Sequence, residues 1–159
     1  MNVGCCRIFT CLQVVISVGY LLLANLMERP TVNLDDYKEL TGKIIGCAMQ
    51  VHRVLGEGFQ EVIYQRALAI ELEQNGVAAQ RELEMPIYYR DREIGSRRVD
   101  FLVNETVLVE LKALTALNET HHAQIINYLE AYRLPIGLLI NFGAASLEFK
   151  RFVKTRPTY

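Results

Sequence analysis

Beyond Pro30 the chain moves between two hydrophobic periods. Leu40, Ile44, Cys47, Ala48, Val51 and Leu55 recur at helical spacing, which puts them on one face of an amphipathic helix. Asn33-Leu34-Asp35-Asp36 supplies caps at its start. Gly56-Glu57-Gly58 ends it, because glycine accepts backbone conformations that other residues resist. A second helix runs from about Phe59 to Gln74, with Val62, Ala69 and Leu72 among its apolar positions, and Asn75-Gly76 stops it. The pattern then changes to strand-like runs at 77–89, 97–103 and 107–113. Asn118 caps a third helix to about Arg133, Pro135 breaks it, and two strands follow, Ile136 to Phe142 and Leu147 to Val153. The order α, α, β, β, β, α, β, β, without internal repeat, predicts an α/β domain: a mixed sheet flanked by helices.

Upstream, Ile8 to Met27 forms an apolar run of about the length that crosses a bilayer. Gln13 and Asn25 interrupt it, Arg7 alone gives a positive flank, and no small-x-small cleavage site follows. Residues 1–33 therefore read as an apolar leader, apart from the domain at 34–159. Three origins fit the leader: a membrane segment, a signal, or a misassigned start with initiation at Met27. The last is preferred, because the folded pattern needs nothing upstream. That preference makes the protein cytoplasmic, with membrane anchoring through residues 8–27 as the alternative. Cys5 and Cys6 beside the run fit acylation loosely.

Composition narrows the picture. A chain of 159 residues with 51% hydrophobic and 22% charged residues holds one domain with a substantial core and is not disordered. A net charge of −1 gives no global attraction to nucleic acid. Such a partner would need local clusters, of which there are two: Arg90, Arg92, Arg97 and Arg98, then Lys150, Arg151, Lys154 and Arg156. The plainer reading of both is a solvated strand edge. Cys5, Cys6, Cys11 and Cys47 have neither metal-finger spacing nor a disulfide pattern, and Cys47 falls on an apolar helical face as a core residue.

The chemistry concentrates in residues 98–112, where two acids and a lysine interrupt what otherwise reads as a pair of buried strands. Ionised groups are costly to bury unpaired. If Asn104-Glu105-Thr106 is a three-residue loop, Val103 faces Val107 and Asp100 faces Glu110. Opposed residues share a face with Cβ atoms roughly 5 Å apart, and Lys112 follows on the same face. Two carboxylates this close repel unless a divalent cation lies between them. A two-residue loop would send the acids to opposite faces.

Other candidates lie on the helices. Glu61 stands one turn into the second helix, where an acid is favourable against the helix dipole whatever its function. Tyr64, three residues on, shares its face and could look into the same cleft. On the third helix His121, Gln124 and Tyr128 make a polar stripe able to hold phosphate oxygens or a nucleophilic water. Singly, His121 reads as a surface residue and Tyr128 as a core aromatic with a wet hydroxyl. His52, near the end of the first helix, is a secondary candidate with a capping role as its alternative.

Asp100 followed by Glu110-Leu111-Lys112 resembles the signature of the PD-(D/E)XK nuclease superfamily, with Val99 where proline often stands. Gln124-Ile125-Ile126-Asn127-Tyr128 is similar to the Gln-x-x-x-Tyr motif of its RecB-like members. Val51-His52-Arg53-Val54-Leu55-Gly56-Glu57-Gly58-Phe59-Gln60-Glu61-Val62-Ile63-Tyr64 resembles the signature of the small GxxExxY proteins grouped within it. The likeness spans about Leu34 to Val153. It implies a restriction-endonuclease-like core and a nuclease that hydrolyses phosphodiester bonds, in DNA ahead of RNA. It implies Mg²⁺ or Mn²⁺ on Asp100, Glu110, the Leu111 carbonyl and Glu61, with Lys112, Glu61, Gln124 and Tyr128 in the catalytic set. Two alternatives carry other expectations: a module that binds nucleic acid or metal without turnover, and a salt-bridged network in an interaction protein.

Overall fold

A computed structural model describes residues 34–154 of the chain. The leader, residues 8–27 and Arg156 lie outside the described residues. Among the described residues three helices and five strands follow one another: α1 (Leu34–Leu55), α2 (Glu61–Gln74), β1 (Ala79–Tyr89), β2 (Arg92–Val103), β3 (Val107–Lys112), α3 (Glu119–Tyr132), β4 (Ile136–Asn141) and β5 (Glu148–Val153). The strands form one sheet in the order β1-β2-β3-β4-β5. Only β3 and β4 run parallel, joined by the crossover through α3, and every other neighbouring pair is antiparallel. This is the mixed sheet flanked by helices that the element order predicts.

Burial explains the two central strands. β3 is buried from Val107 to Leu111 and β4 throughout, as a sheet covered on both faces requires. One face carries Phe101, Val109, Leu111 and Leu138 against Ile44, Ala48 and Val51 of α1 and Leu68 and Leu72 of α2. The other carries Leu108, Leu139 and Phe152 against Ile125 and Leu129 of α3. Cys47 is buried in the first of these cores, as its helical position predicts. Gly137 keeps α3 close: a Cβ there would come within 2.9 Å of the Ile125 side chain.

The chain begins β2 earlier than the hydrophobic pattern suggests. The strand-like run is expected over 97–103, yet the strand starts at Arg92, with a register shift between Ile87 and Tyr88 that absorbs the irregularity near Gly95. The result is a long β1–β2 hairpin of which β3 covers only Phe101 to Val103. Among the described residues no helix is long and apolar enough to cross a membrane.

Candidate active site

The loop between β2 and β3 has the predicted length. Val103 pairs with Val107, Asn104 and Glu105 take positive φ, and the Thr106 N–H donates to the Val103 carbonyl at 3.1 Å. The register therefore brings Asp100 towards Glu110, but the ladder stops at Phe101↔Val109. Asp100 acts instead as a substitute ladder acceptor. Its Oδ2 accepts from the Leu111 N–H at 2.7 Å and its Oδ1 accepts from Gln65 Nε2 at 2.9 Å. Side-chain alternation breaks at the same point, since Phe101 packs in the α1/α2 core whereas Val99 packs in the α3 core. Opposite Asp100, Glu82 is missing from the β1–β2 ladder and has a φ of 53°. The expectation of a regular cross-strand pair is corrected accordingly: the acids meet where the strands part.

Glu110 is 5% exposed. Its Oε1 accepts from Gln124 Nε2 at 3.2 Å and lies 3.4 Å from Lys112 Nζ. Its Oε2 is buried with no hydrogen-bond partner. Loss of hydration, then repulsion from Asp100, pushes the Glu110 carboxyl up to about 7 despite the ammonium beside it. Burial also raises Asp100 and the half-buried Glu61, with Lys112 acting in the opposite direction on both. Gln124 donates as well to the Tyr128 hydroxyl at 2.9 Å, which leaves the phenolic proton able to donate elsewhere.

Asp100, Glu110, Lys112, Gln124 and Tyr128 thus gather in one place, with Glu61 near enough for Lys112 and Asp100 to act on its carboxyl. The secondary candidates do not join them. Tyr64 is fully buried and stacked on Phe142 with ring centroids 4.7 Å apart. Its hydroxyl donates to the Gly56 carbonyl at 2.7 Å and accepts from the Phe59 N–H at 3.2 Å, so it fastens the turn before α2. His52 Nε2 lies 3.0 Å from the Ala144 carbonyl, and His121 Nδ1 accepts from the Asn118 N–H in a capping box. Gln65 is the site residue that pattern reading misses. Its signal is a lone amide on the apolar stripe of Leu68 and Leu72, buried and therefore in need of a partner.

Among the described residues no group of three or more His, Cys, Asp or Glu side chains is disposed to hold a metal ion. Gln65 and the Leu111 N–H hold Asp100, while Lys112 and Gln124 occupy Glu110 Oε1. The donor chemistry nevertheless suits a hard cation. An ionised carboxylate has about four acceptor positions, so Asp100 retains lone pairs beyond its two hydrogen bonds. Glu110 Oε2 has no partner at all, and a buried orphan oxygen of this kind is what a cation would satisfy.

Comparison with known proteins bears on the family and the fold. A family model described as PD-(D/E)XK nuclease superfamily matches residues 38–152. No curated protein matches the sequence. A solved structure titled "Crystal structure of SSO0001" is similar in fold, with a TM-score of 0.50 and 18% identity over 60% of this chain and 50% of that one. The chain spans about half the length of that solved chain.

Proposed function

Since the chain belongs to the PD-(D/E)XK nuclease superfamily, we propose that it is a divalent-cation-dependent nuclease that hydrolyses phosphodiester bonds in DNA. Within the superfamily we place it with the small GxxExxY proteins that carry a RecB-like Gln-x-x-x-Tyr helix. The carrying observation is the meeting of Asp100, Glu110 and Lys112 at the parting of β2 and β3, with Glu110 Oε2 buried and unpartnered. Asp100, Glu110, the Leu111 carbonyl and Glu61 would hold Mg²⁺ or Mn²⁺, which when bound lowers the pKa of water and offsets phosphate charge.

The chain's own groups do the rest. Lys112 reaches the reacting centre as an ammonium beside Glu110, where it donates to a phosphate oxygen and offsets the negative charge that grows in the transition state. Gln124 fixes one oxygen of Glu110 and orients Tyr128, whose hydroxyl proton then points to the substrate. Gln65 holds the Asp100 carboxylate against rotation. Tyr64 acts at one remove, because the turn it fastens sets where α2 begins and hence where Glu61 stands. This gives the GxxExxY pattern a physical content.

The test is cleavage of plasmid and linear DNA by the full chain with Mg²⁺ or Mn²⁺. Lys112→Ala should lower the rate at least about a hundredfold, the scale of losing one transition-state donor, with the fold intact by circular dichroism. Equal cleavage by wild type and variant would contradict the proposal.

A further inference from the structure

The β1–β2 hairpin extends past the end of β3, so Arg92 to Asp100 has no strand on its outer side. Its two faces differ in charge. Leu83, Met85 and Val99 pack with the α3 core, and alternation along each strand, carried through the register shift, puts Ile87, Tyr89, Arg92 and Arg97 on that same face. None of the paired residues on it between Leu83 and Val99 is acidic, and Asp91 stands in the turn at the hairpin's end. The opposite face carries Glu84 and Glu93 with Arg98, and Arg98 is already beside Glu82 at 3.9 Å. The arginines of this cluster therefore do not form one patch: Arg92 and Arg97 share the side whose paired residues carry no acid.

That side is continuous with the active site. Tyr132 donates to the Met85 carbonyl at 3.1 Å, and Arg97 is near enough to act on the Tyr132 hydroxyl. Tyr132 packs against Tyr128 with ring centroids 5.9 Å apart, and Tyr128 leads through Gln124 to Glu110. At its far end Tyr89 is exposed, flanked by Arg90. A row of aromatic rings with interspersed arginines, running outward from a phosphodiester-cleaving centre, has the chemistry of a single-strand track: arginines meet phosphates and rings stack with bases.

We propose that the α3-side face of the hairpin binds a single-stranded stretch of the DNA substrate, with Arg97 and Arg92 on two separate, non-adjacent backbone phosphates and Tyr89 against a base. The track rests on the nuclease reading for its direction, from the free end of the hairpin towards Glu110. Arg97 and Arg92 pair with Met85 and Tyr89, four residues apart on β1, which at a strand rise of about 3.3 Å sets them roughly 13 Å apart, so the contacted stretch is longer than one nucleotide step.

The experiment measures binding of a fluorescent single-stranded oligonucleotide by anisotropy across a salt series, and hydrolysis of bis(p-nitrophenyl) phosphate, which is too small to reach the hairpin. It compares the wild-type chain, Arg92→Glu/Arg97→Glu, and Arg98→Glu as a change of charge on the opposite face. The double variant should bind at least about tenfold more weakly. Its log–log salt slope should be shallower by about 1.4, the value for two lost phosphate contacts on a single strand. Its hydrolysis of the small diester should equal wild type, and Arg98→Glu should bind as wild type does. Equal affinity and slope in wild type and double variant, equal losses in both variants, or absence of oligonucleotide binding by wild type would overturn the track. Hydrolysis of the small diester with binding indifferent to Arg92 and Arg97 would leave the nuclease standing and remove the track. Binding through these arginines without any diester hydrolysis would do the reverse.

Discussion

Two polar side chains on neighbouring strands, Glu110 of β3 and Asn141 of β4, are buried to nearly the same degree. Asn141 makes every bond its amide allows: Oδ1 accepts from the N–H groups of Leu114 and Gly143 at 2.9 and 3.2 Å, while Nδ2 donates to the Leu114 carbonyl and Glu148 at 2.8 and 3.0 Å. It ties the segment after β3 to the end of β4, where Gly143 passes so close that a Cβ would meet Leu114 N at 2.3 Å. Glu110 is the opposite case. One of its oxygens has no partner, and its carboxyl resists ionisation up to about 7. A satisfied buried group holds a fold together, whereas an ionisable one left short of partners costs stability, which the proposed cation would offset.

The largest stability effect should come from the satisfied member. Asn141→Ala strands the Leu114 N–H and carbonyl and the Gly143 N–H, and should cost about 3 kcal/mol in urea unfolding, as expected where several buried groups lose their partners. A loss below about 1 kcal/mol would show that water replaces the amide readily and would blur the contrast.

Glu110→Gln should act with the opposite sign. The unfolded chain releases this proton near 4.5 and the folded chain near 7, so between these values the folded state holds more protons and stability falls as pH rises. The rise corresponds to about 3 kcal/mol, at about 1.4 kcal/mol per tenfold change in ionisation. Part of it stays with the new amide, which must itself find partners, so the variant should gain about 2 kcal/mol at pH 8 and nothing at pH 5. Denaturant midpoints at the two pH values check this, and a destabilised variant at pH 8 would favour a structural ion pair with Lys112.

Gln65→Leu should have the smallest effect. It removes one of the two bonds that hold Asp100 and should cost about 1 kcal/mol at pH 8, less once Asp100 is protonated. Cleavage should fall more than stability does, because the variant frees a carboxylate that the site needs fixed.

How much of this is legible in the sequence depends on how local each cause is. Helical spacing and punctuation by Gly56, Gly58 and Pro135 act within a few residues, and the elements they predict are present. The three-residue loop is legible too, and with it the approach of Asp100 to Glu110. The parting of the strands at Asp100 is not, because it arises from two distant donors, Gln65 on α2 and the Leu111 N–H on β3. Tyr64 shows the same limit: its spacing from Glu61 is plain, but the position of Phe142, against which it stacks, follows only from the assembled sheet. The early start of β2 is hidden because Gly95 looks the same in a bulge as in a break.

The central claim is that the strained acids at the parting of β2 and β3 are kept for a divalent cation. Its most direct test is the melting temperature of the full chain at pH 7.5 as Mn²⁺ is titrated, for wild type and Glu110→Gln. Ligand binding to the folded state should raise the wild-type value steadily with concentration, by several degrees at saturation, while the variant, higher at the outset, barely responds. A wild-type curve that stays flat, or two curves that rise together, would contradict the account.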